Sequence, residues 1–375
     1  MSGKKWYIWP AVALLMLLGC GLYILIDQPG VVAAVFGPRL KDKPVVPQKV
    51  TEKRLTIGAV GDIMLARKLN TYMTKYGYGH PVKNIGGDLA SSDITFGNLE
   101  SPIGTTGSKM PGKGICFRAD PRSVATLNGG GFDVLSVANN HMLDYDEPAF
   151  NETLALLKAN SIAAVGGGVN LEAAREPVII NKNGLKIAFL AYSDMADLYF
   201  SSSYPRKFQA EEDTPGVAPT VRDLMLEDVT QAGKMADMVV VSLHWGWEYN
   251  KSPTEAQRLL AHELVDAGAN LIIGHHPHVY QGIESYGGGV IAYSLGNFIF
   301  DQNQSLETRE GLVLSAFVTD KGLQEVRVRP VFITEGQPNW CPPEQNQELL
   351  AEIARLSRNL ATEGVLNNNY LSVQL

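Results

Sequence analysis

A chain of 375 residues, 45% hydrophobic and 19% charged, can bury a full core, which excludes a disordered protein. Its formal net charge is −7, whereas neutralising a phosphate backbone requires a basic face. We therefore expect no nucleic-acid partner.

The amino-terminal segment has the composition of a membrane anchor. Residues 6–26 contain no charged side chain, and a transmembrane helix needs about 20 apolar residues. A cleaved signal has a shorter apolar region of about 7–15 residues. We therefore interpret residues 1–27 as an uncleaved signal anchor. The stretch "LLGC", ending at Cys20, also resembles a lipoprotein processing site, which leaves a cleaved lipoprotein open. Either outcome places the protein at the cell membrane with a single anchor.

Residues 28–54 are punctuated by prolines, and we interpret them as a linker. Large domains cross a membrane largely regardless of flanking charge, so we expect the following domain to face outside the cytoplasm. Beyond the anchor the sequence has two cysteines, Cys116 and Cys341. A disulfide between them and two unpaired thiols both fit the sequence.

From Leu55 onward, short apolar runs alternate with helical stretches, which is typical of an α/β fold. Five of these runs end on carboxylates, carboxamides or imidazoles, at Asp62, Asn98 to Glu100, Asn139 to His141, His244 and His275 to His278. Ligand sites in open α/β sheets lie at the carboxyl ends of strands. We therefore expect these side chains to meet on one rim.

The segment between the last two runs is predicted to be a helix. Ser252 is the predicted N-cap, and Glu255 completes a capping box. A strand–helix–strand crossover makes the two strands parallel neighbours. His244 and the pair His276 and His278 should then emerge on the same edge of one sheet.

Two further segments are less regular. Residues 194–220 are rich in Ser, Pro and acidic residues and form either a lid or a surface excursion. Residues 336–375 are predicted to form a C-terminal helical extension with Gly364 as the helix stop. The apolar face of this helix packs against the body or docks a partner, and consists of Leu349, Ile353, Leu356 and Leu360.

The polar residues at the strand ends favour a metal site. One histidine after a strand is more often structural, but imidazoles, carboxylates and a carboxamide together suit a divalent ion such as Mn, Fe or Zn. "HWGWEY" places Trp245, Trp247 and Glu248 after the fourth run. These residues either pack beneath the loop or line a substrate cleft. In the second case Glu248 would orient a ligand histidine or a substrate cation.

Six motifs in order carry a family resemblance: "GDIMLAR", "FGNLESPI", "VANNHMLDYD", "SLHWGWEY", "GHHPHVYQGIE" and "YSLGNFIFD". Across residues 55–302 they resemble the bacterial CapA/PgsA family of poly-gamma-glutamate capsule-synthesis proteins. That family is similar to calcineurin-like metallophosphoesterases. The resemblance therefore implies a four-layer α-β-β-α sandwich over residues 55–335, with a two-metal site on the sheet rim. It also implies, as partners, an anionic polymer and other components of a capsule synthesis or export complex.

The resemblance assigns roles to single residues. The metal ligands implied are Asp62, Asn98, Glu100, Asn140, His244, His276 and His278. The catalytic residues implied are His141, which would assist the leaving group, and Asp62. Apart from the resemblance, we expect Trp245, Trp247, Glu248 and Asn297 to bind substrate.

Two positions depart from the phosphoesterase pattern. Met64 stands where a ligand histidine is usual, and Asn98 stands where a bridging aspartate is usual, with Glu100 the nearby carboxylate. We therefore expect one tightly held ion and a second, weak one. The tight set expected is Asn140, His244 and His276, and the weak set is Asp62, Glu100 and His278.

Two functions stay open from the sequence. The first is a metal-dependent hydrolase of phosphoester or amide bonds at the cell surface. The second is a non-catalytic, anchored component of polymer assembly or export that keeps the metal rim as a relic or structural site. The two departures favour the second function, and the retained histidines favour the first. For the biological role we expect capsule or exopolymer biosynthesis, with catalysis left open.

Overall fold

The computed structural model describes residues 53–375, so the predicted anchor and nearly all of the linker lie outside the described residues. Among those described, no helix is both long enough and apolar enough to cross a bilayer. The α-helices are α1 (Lys68–Tyr76), α2 (Gly86–Leu89), α3 (Val124–Gly129), α4 (Asp146–Ala159), α5 (Leu171–Arg175), α6 (Arg222–Met235), α7 (Glu255–Asp266) and α8 (Pro343–Arg358). Short 3-10 helices span His80–Val82, Pro121–Ser123 and Glu307–Arg309.

The strands are short and follow the apolar runs of the sequence. In chain order they are β1 (Arg54–Ile63), β2 (Ile94–Leu99), β3 (Val134–Ser136), β4 (Ala163–Val165), β5 (Gly167–Gly168), β6 (Val178–Lys182), β7 (Leu185–Ser193), β8 (Gly216–Val217), β9 (Met238–His244), β10 (Leu271–His275), β11 (Ile283–Tyr286), β12 (Gly289–Ala292), β13 (Asn297–Ile299), β14 (Glu310–Thr319), β15 (Gly322–Thr334), β16 (Gln337–Trp340), β17 (Val365–Leu366) and β18 (Leu371–Gln374).

The strands form two large sheets. The larger has the order β17-β18-β15-β14-β1-β2-β3-β4, with β13 beside β1 and β16 beside β15. The smaller has the order β11-β12-β10-β9-β7-β6, and β5 pairs separately with β8. Strands β1 to β4 run parallel, as do β7, β9, β10 and β12. Each sheet therefore has a parallel centre whose strands end at a common edge.

Alternate residues of the smaller sheet face two different cores, which explains why its strands are apolar throughout. On β7, Ile187 and Phe189 belong to the core between the sheets, whereas Ala188 and Leu190 belong to the core beneath α6 and α7. Phe96 of β2 stacks on Phe189 with ring centroids 5.7 Å apart, so the two sheets pack face to face. The fold is mixed α/β, as predicted.

Helix α7 begins later than predicted. Its N-cap is Thr254, whose side chain accepts a hydrogen bond from the Gln257 amide, while the Gln257 side chain accepts one from the Thr254 amide. The prediction of Ser252 and Glu255 as the capping pair is wrong, because a residue pair two positions further on makes both reciprocal bonds. The predicted crossover is correct, since β9 and β10 pair in parallel with His244 opposite His275.

The segment 336–375 packs against the body, one of its two expected roles. Strand β18 pairs with β15. Helix α8 buries Leu349, Ile353 and Leu356 of the predicted apolar face, and Leu360 is buried just after the helix ends. The helix ends at Arg358 and the chain turns at Ala361 (φ 57°), so Gly364 is not the helix stop. The Ile283 amide of β11 donates to Ser357 Oγ of α8 (3.0 Å), and α8 also contacts β15. Helix α8 thus contacts both sheets.

The segment 194–220 is anchored rather than wholly exposed. Its strand β8 pairs with β5, and Phe208 is buried. The rings of Phe200 and Phe208 lie 5.2 and 4.9 Å from Lys113 Nζ. Elsewhere, Cys116 and Cys341 are both free thiols.

Candidate metal centre

Polar side chains from both sheets meet at one edge, as the strand order predicts. Asp62 is the penultimate residue of β1, Asn98 is the penultimate residue of β2, and His244 ends β9. Loops that follow β2, β3 and β10 add the remaining members, Glu100, Asn140, His141, His276 and His278. All but Asn140, which is half-buried, are buried.

One group of donor atoms consists of Asp62, Glu100 and His244, whose potential ligand atoms lie within 4.8 Å of one another. Asp62 Oδ1 accepts a hydrogen bond from Asn98 Nδ2 (2.8 Å), and Asp62 Oδ2 accepts one from the His276 amide (3.3 Å). Asn98 Nδ2 also lies 3.3 Å from His244 Nδ1. Asn98 therefore sits between a carboxylate and an imidazole of the same group.

Glu100 is the member of this group that most needs a partner. It is completely buried, and neither carboxylate oxygen has a hydrogen bond within the described chain. Burial, followed by the charges of Asp62 and Glu248, raises the pKa of Glu100 well above its ordinary value. A buried carboxylate without partners is costly. A divalent cation would provide the missing partner, so the donor set fits a metal ion.

A second group consists of Glu248, His276 and His278, again with ligand atoms within 4.8 Å of one another. The backbones of His276 (φ 94°) and His278 (φ 56°) both adopt left-handed conformations, which non-glycine residues rarely do. Such strain persists where the surrounding structure fixes it and is common at functional sites.

Asn297 holds His278 in one orientation. Asn297 Nδ2 donates to Thr308 O (2.9 Å) and Gln302 Oε1 (3.0 Å), so its Oδ1 must accept the bond of 3.0 Å from His278 Nδ1. His278 Nε2 then carries the lone pair, 3.8 Å from Glu100 Oε1. Asn297 is completely buried behind the histidine, a position that fits orienting a metal ligand.

The distances divide the donors differently from the expected tight and weak sets. His244 belongs to the group with Asp62 and Glu100. Glu248, which was expected to contact substrate or to orient a histidine, belongs to the group with His276. Asn140 Oδ1 lies 3.1 Å from His244 Nε2, at the border of the first group.

Met64 does not replace the missing histidine. Its side chain is completely buried, and its Sδ accepts a hydrogen bond from the Ala66 amide (3.1 Å).

His141 is part of a buried charged network. Its Nδ1 lies 2.6 Å from Asp144 Oδ2, and the Phe117 ring stacks on the imidazole at 4.0 Å. Lys113 forms an ion pair with Asp144 and donates to Asn140 O. Burial lowers the pKa of His141 to about 4, so the imidazole is neutral at neutral pH. Because Nδ1–H is donated to the carboxylate, Nε2 is the basic atom.

A cleft of about 710 Å³ opens beside these groups. Its lining includes all three predicted residues of "HWGWEY": Trp245 is buried, whereas Trp247 and Glu248 are exposed. Asp194 also lines the cleft, and its Oδ2 accepts a hydrogen bond of 2.9 Å from the Gly246 amide within this motif. Asn297 does not line this cleft.

Comparison with known proteins identifies the family. The profile described as "Bacterial capsule synthesis protein PGA_cap" matches residues 56–302. The chain belongs to this family. It is 34% identical over 306 residues to "Capsule biosynthesis protein CapA" of Bacillus anthracis, covering 80% of this chain and 72% of that protein. It is 34% identical over 320 residues to "PGA biosynthesis protein CapA" of Bacillus subtilis (strain 168), covering 84% and 82%.

Similarity to solved structures is more remote. Purple acid phosphatase PPD1 from yellow lupin seeds is 8% identical with a TM-score of 0.36, over 77% of this chain and 53% of that chain. A hypothetical protein from Thermus thermophilus is 15% identical with a TM-score of 0.42, over 76% and 96%.

Sequence reasoning missed two residues at this PGA_cap site and placed a third, His275, on the rim without giving it a role. His275 is completely buried, neither ring nitrogen has a hydrogen bond, and Nδ1 lies 3.3 Å from Asp62 Oδ1. Burial would raise the pKa of Asp62, but His275 and His278 hold it well below its ordinary value. The other two are Lys113 and Asp144. Asp144 could have been predicted from its position three residues after His141, whereas nothing in the sequence around Lys113 indicates its contact with Asp144.

Proposed function

We propose that this chain is a membrane-anchored protein of capsule polymer biosynthesis, of the poly-gamma-glutamate type, that carries a metal-dependent hydrolase site outside the cytoplasm. The names of the CapA relatives support the capsule role. The uncharged run at residues 6–26 supports the anchor. The observation that carries the hydrolase assignment is the pair His141 and Asp144 beside two groups of metal-ligating side chains.

The metal proposed is a divalent ion such as Mn, Fe or Zn. Asp62, Glu100 and His244 would hold the tighter ion, because these buried donors include a carboxylate without partners. Glu248, His276 and His278 would hold a second ion more weakly, since Glu248 is exposed to water. A bound ion supplies Lewis acidity and lowers the pKa of water toward about 7.

The chain's own residues move the proton. A neutral His141 accepts a proton at Nε2, and Asp144 then stabilises the imidazolium through Nδ1–H. Lys113 pairs with Asp144 and fixes its position. In the free protein, His141 therefore acts as a base, and it donates to a leaving group only after it has taken up a proton.

The fold we propose is the four-layer sandwich of the metallophosphoesterase type. Its support is the face-to-face packing of two sheets, each with a parallel centre, and the placement of the polar residues at their shared edge. The carboxyl ends of parallel strands are where such folds place ligands.

The test combines metal analysis with hydrolysis assays on the purified chain. We expect close to one tightly bound metal per chain. We also expect the chain to hydrolyse either poly-gamma-glutamate or a phosphoester such as p-nitrophenyl phosphate. His141→Gln should lower the rate at least about 100-fold, the scale of general acid–base catalysis, without removing the metal. His262→Gln is the matched control, because His262 stacks on Tyr286 away from the rim. Unchanged activity in His141→Gln would refute its role.

The alternative is a non-catalytic component of polymer assembly or export. It is favoured by Asn98, which occupies the bridging position without a negative charge, and by Met64, which is not available as a ligand. This alternative predicts bound metal, removed by His244→Ala, with no hydrolysis of either substrate.

A further inference from the structure

The cleft beside the metal centre has a charge that does not suit the body of a polyanion. Among the described residues that line it, Asp194 and Glu248 carry carboxylates, and none is Lys or Arg. The depth of the cleft desolvates Asp194, although part of this residue remains open to solvent. This wall attracts a cation.

Aromatic residues strengthen that preference. Trp247 and Tyr249 line the same cleft and are 70% and 50% exposed, which is unusual for large aromatic side chains with an apolar core available. The face of an aromatic ring attracts ammonium groups within about 6 Å of its centroid. Carboxylates beside exposed indole and phenol rings are thus suited to an organic ammonium ion.

The cleft also presents two polar groups without partners. Gln257 is 7% exposed, and its Oε1 is used by the cap of α7, but its Nε2 donor has no partner in the described chain. Thr220 Oγ1 is likewise buried without a partner, and both residues line the cleft. Donors left unpaired in a buried position call for an acceptor, for which a ligand carboxylate is suitable.

We propose that this cleft binds the amino-terminal residue of a γ-linked glutamate chain, an inference that rests on the proposed capsule-polymer function. In such a polymer only the terminal residue bears a free α-ammonium beside its α-carboxylate, because every other nitrogen is an amide. Asp194 and Trp247 take the ammonium, and Gln257 and Thr220 take the carboxylate. His276 and Asn140 line the same cleft, so the first γ-amide of the chain faces the metal centre.

The volume agrees with this assignment. About 710 Å³ lies within the range of about 300–1,000 Å³ that small-ligand sites occupy, which is enough for a chain end but not for a folded length of polymer. The chain-end preference itself rests on the free ammonium, which internal residues lack.

The test is isothermal titration calorimetry on the full chain after chelator treatment, so that no hydrolysis occurs. The probes are γ-linked tri-L-glutamate with a free amino terminus and the same peptide with an N-acetyl group. We expect the free peptide to bind at least about tenfold more tightly, the effect of one charge-assisted hydrogen bond. Asp194→Asn and Trp247→Ala should each remove most of this preference. Glu348→Gln, an exposed carboxylate on α8, is the matched control and should keep it.

Each result decides the inference. Equal binding of the two peptides, or binding of neither, would overturn it, as would a preference that survives both cleft substitutions. A chain that prefers the free peptide but hydrolyses no substrate would refute the proposed hydrolase activity alone. A chain that hydrolyses the polymer without any preference for free amino ends would refute the chain-end subsite alone.

Discussion

Asn98→Asp tests whether Asn98 weakens metal binding at the rim, because it adds a negative charge at the proposed bridging position. In the native chain Asn98 Nδ2 donates to Asp62 Oδ1 at 2.8 Å. The substitution replaces that donor by a carboxylate oxygen at a completely buried position. Two carboxylates at this distance cannot both stay ionised without a cation, so one must take up a proton or the pair must bind metal.

The magnitudes follow from these contacts. Loss of a hydrogen bond to a charged acceptor costs about 1.5–3 kcal/mol, and repulsion from Asp62 adds to it. With chelator we expect the unfolding free energy to fall by about 3 kcal/mol, a drop in Tm of several degrees. Metal at 100 times its Kd returns about 2.7 kcal/mol through binding to the folded state. The variant should therefore recover most of its stability in Mn²⁺.

The assay is thermal unfolding with chelator and with Mn²⁺, together with elemental analysis. Asn98→Leu is the uncharged control: it loses the bond to Asp62 and also the bond that Asn98 Oδ1 accepts from Asn139 Nδ2 (3.1 Å), but it adds no charge. Its response to Mn²⁺ should therefore not exceed that of the native chain. If the Asp and Leu variants respond alike, the reasoning that Asn98 weakens a bridging metal position is wrong.

Three other changes test the fold and the anchor. Gly61→Ala places a Cβ 1.8 Å from Gly296 O, where β1 meets β13, and should lower the free energy of unfolding by about 3 kcal/mol in denaturant. Its control is Gly233→Ala in α6, where the new Cβ meets open space and should raise that free energy by about 0.5–1 kcal/mol. Equal effects of the two substitutions would contradict the close approach at Gly61. Burial raises the pKa of Glu310 to about 7, because the folded protein favours the protonated carboxyl. The resulting contribution to folding stability is fully present below about pH 4.5 and is lost as the pH rises through 7. Glu310→Gln should therefore raise stability by about 1 kcal/mol at pH 8, after allowance for solvent screening, and leave it unchanged at pH 4.5; an equal gain at both would refute this. Removal of residues 6–26 should yield a soluble protein, and persistence in membranes after a high-salt wash would show a second membrane contact.

The sequence predicted those parts of the site that depend on strand ends. Apolar runs locate the strands, and the crossover through α7 makes β9 and β10 neighbours, so the position of His244 followed from pattern alone. Particular contacts made through loop conformation or through packing between the two sheets could not be predicted. Lys113 reaches Asp144 across 31 residues, and His275 gains its place beside Asp62 only from the packing of one sheet on the other.

The capping of α7 shows a different limit. Ser252 and Thr254 are both good N-cap residues, and each is followed three positions later by a residue whose side chain is a candidate for the return bond. Local pattern cannot choose between them. In the folded protein Thr254 is the N-cap, because Gln257 bonds to it while also lining the cleft.

The division of ligands between two sheets has a mechanical consequence. Asp62 and Glu100 belong to one sheet and His244 to the other, so a bound ion would fasten together two halves that otherwise meet through side-chain packing and α8. Amide hydrogen exchange at the ends of β1 and β9 should then slow together on metal addition, because opening either sheet would first release the ion. The same ion would make the cleft a rigid wall for whatever polymer end enters it.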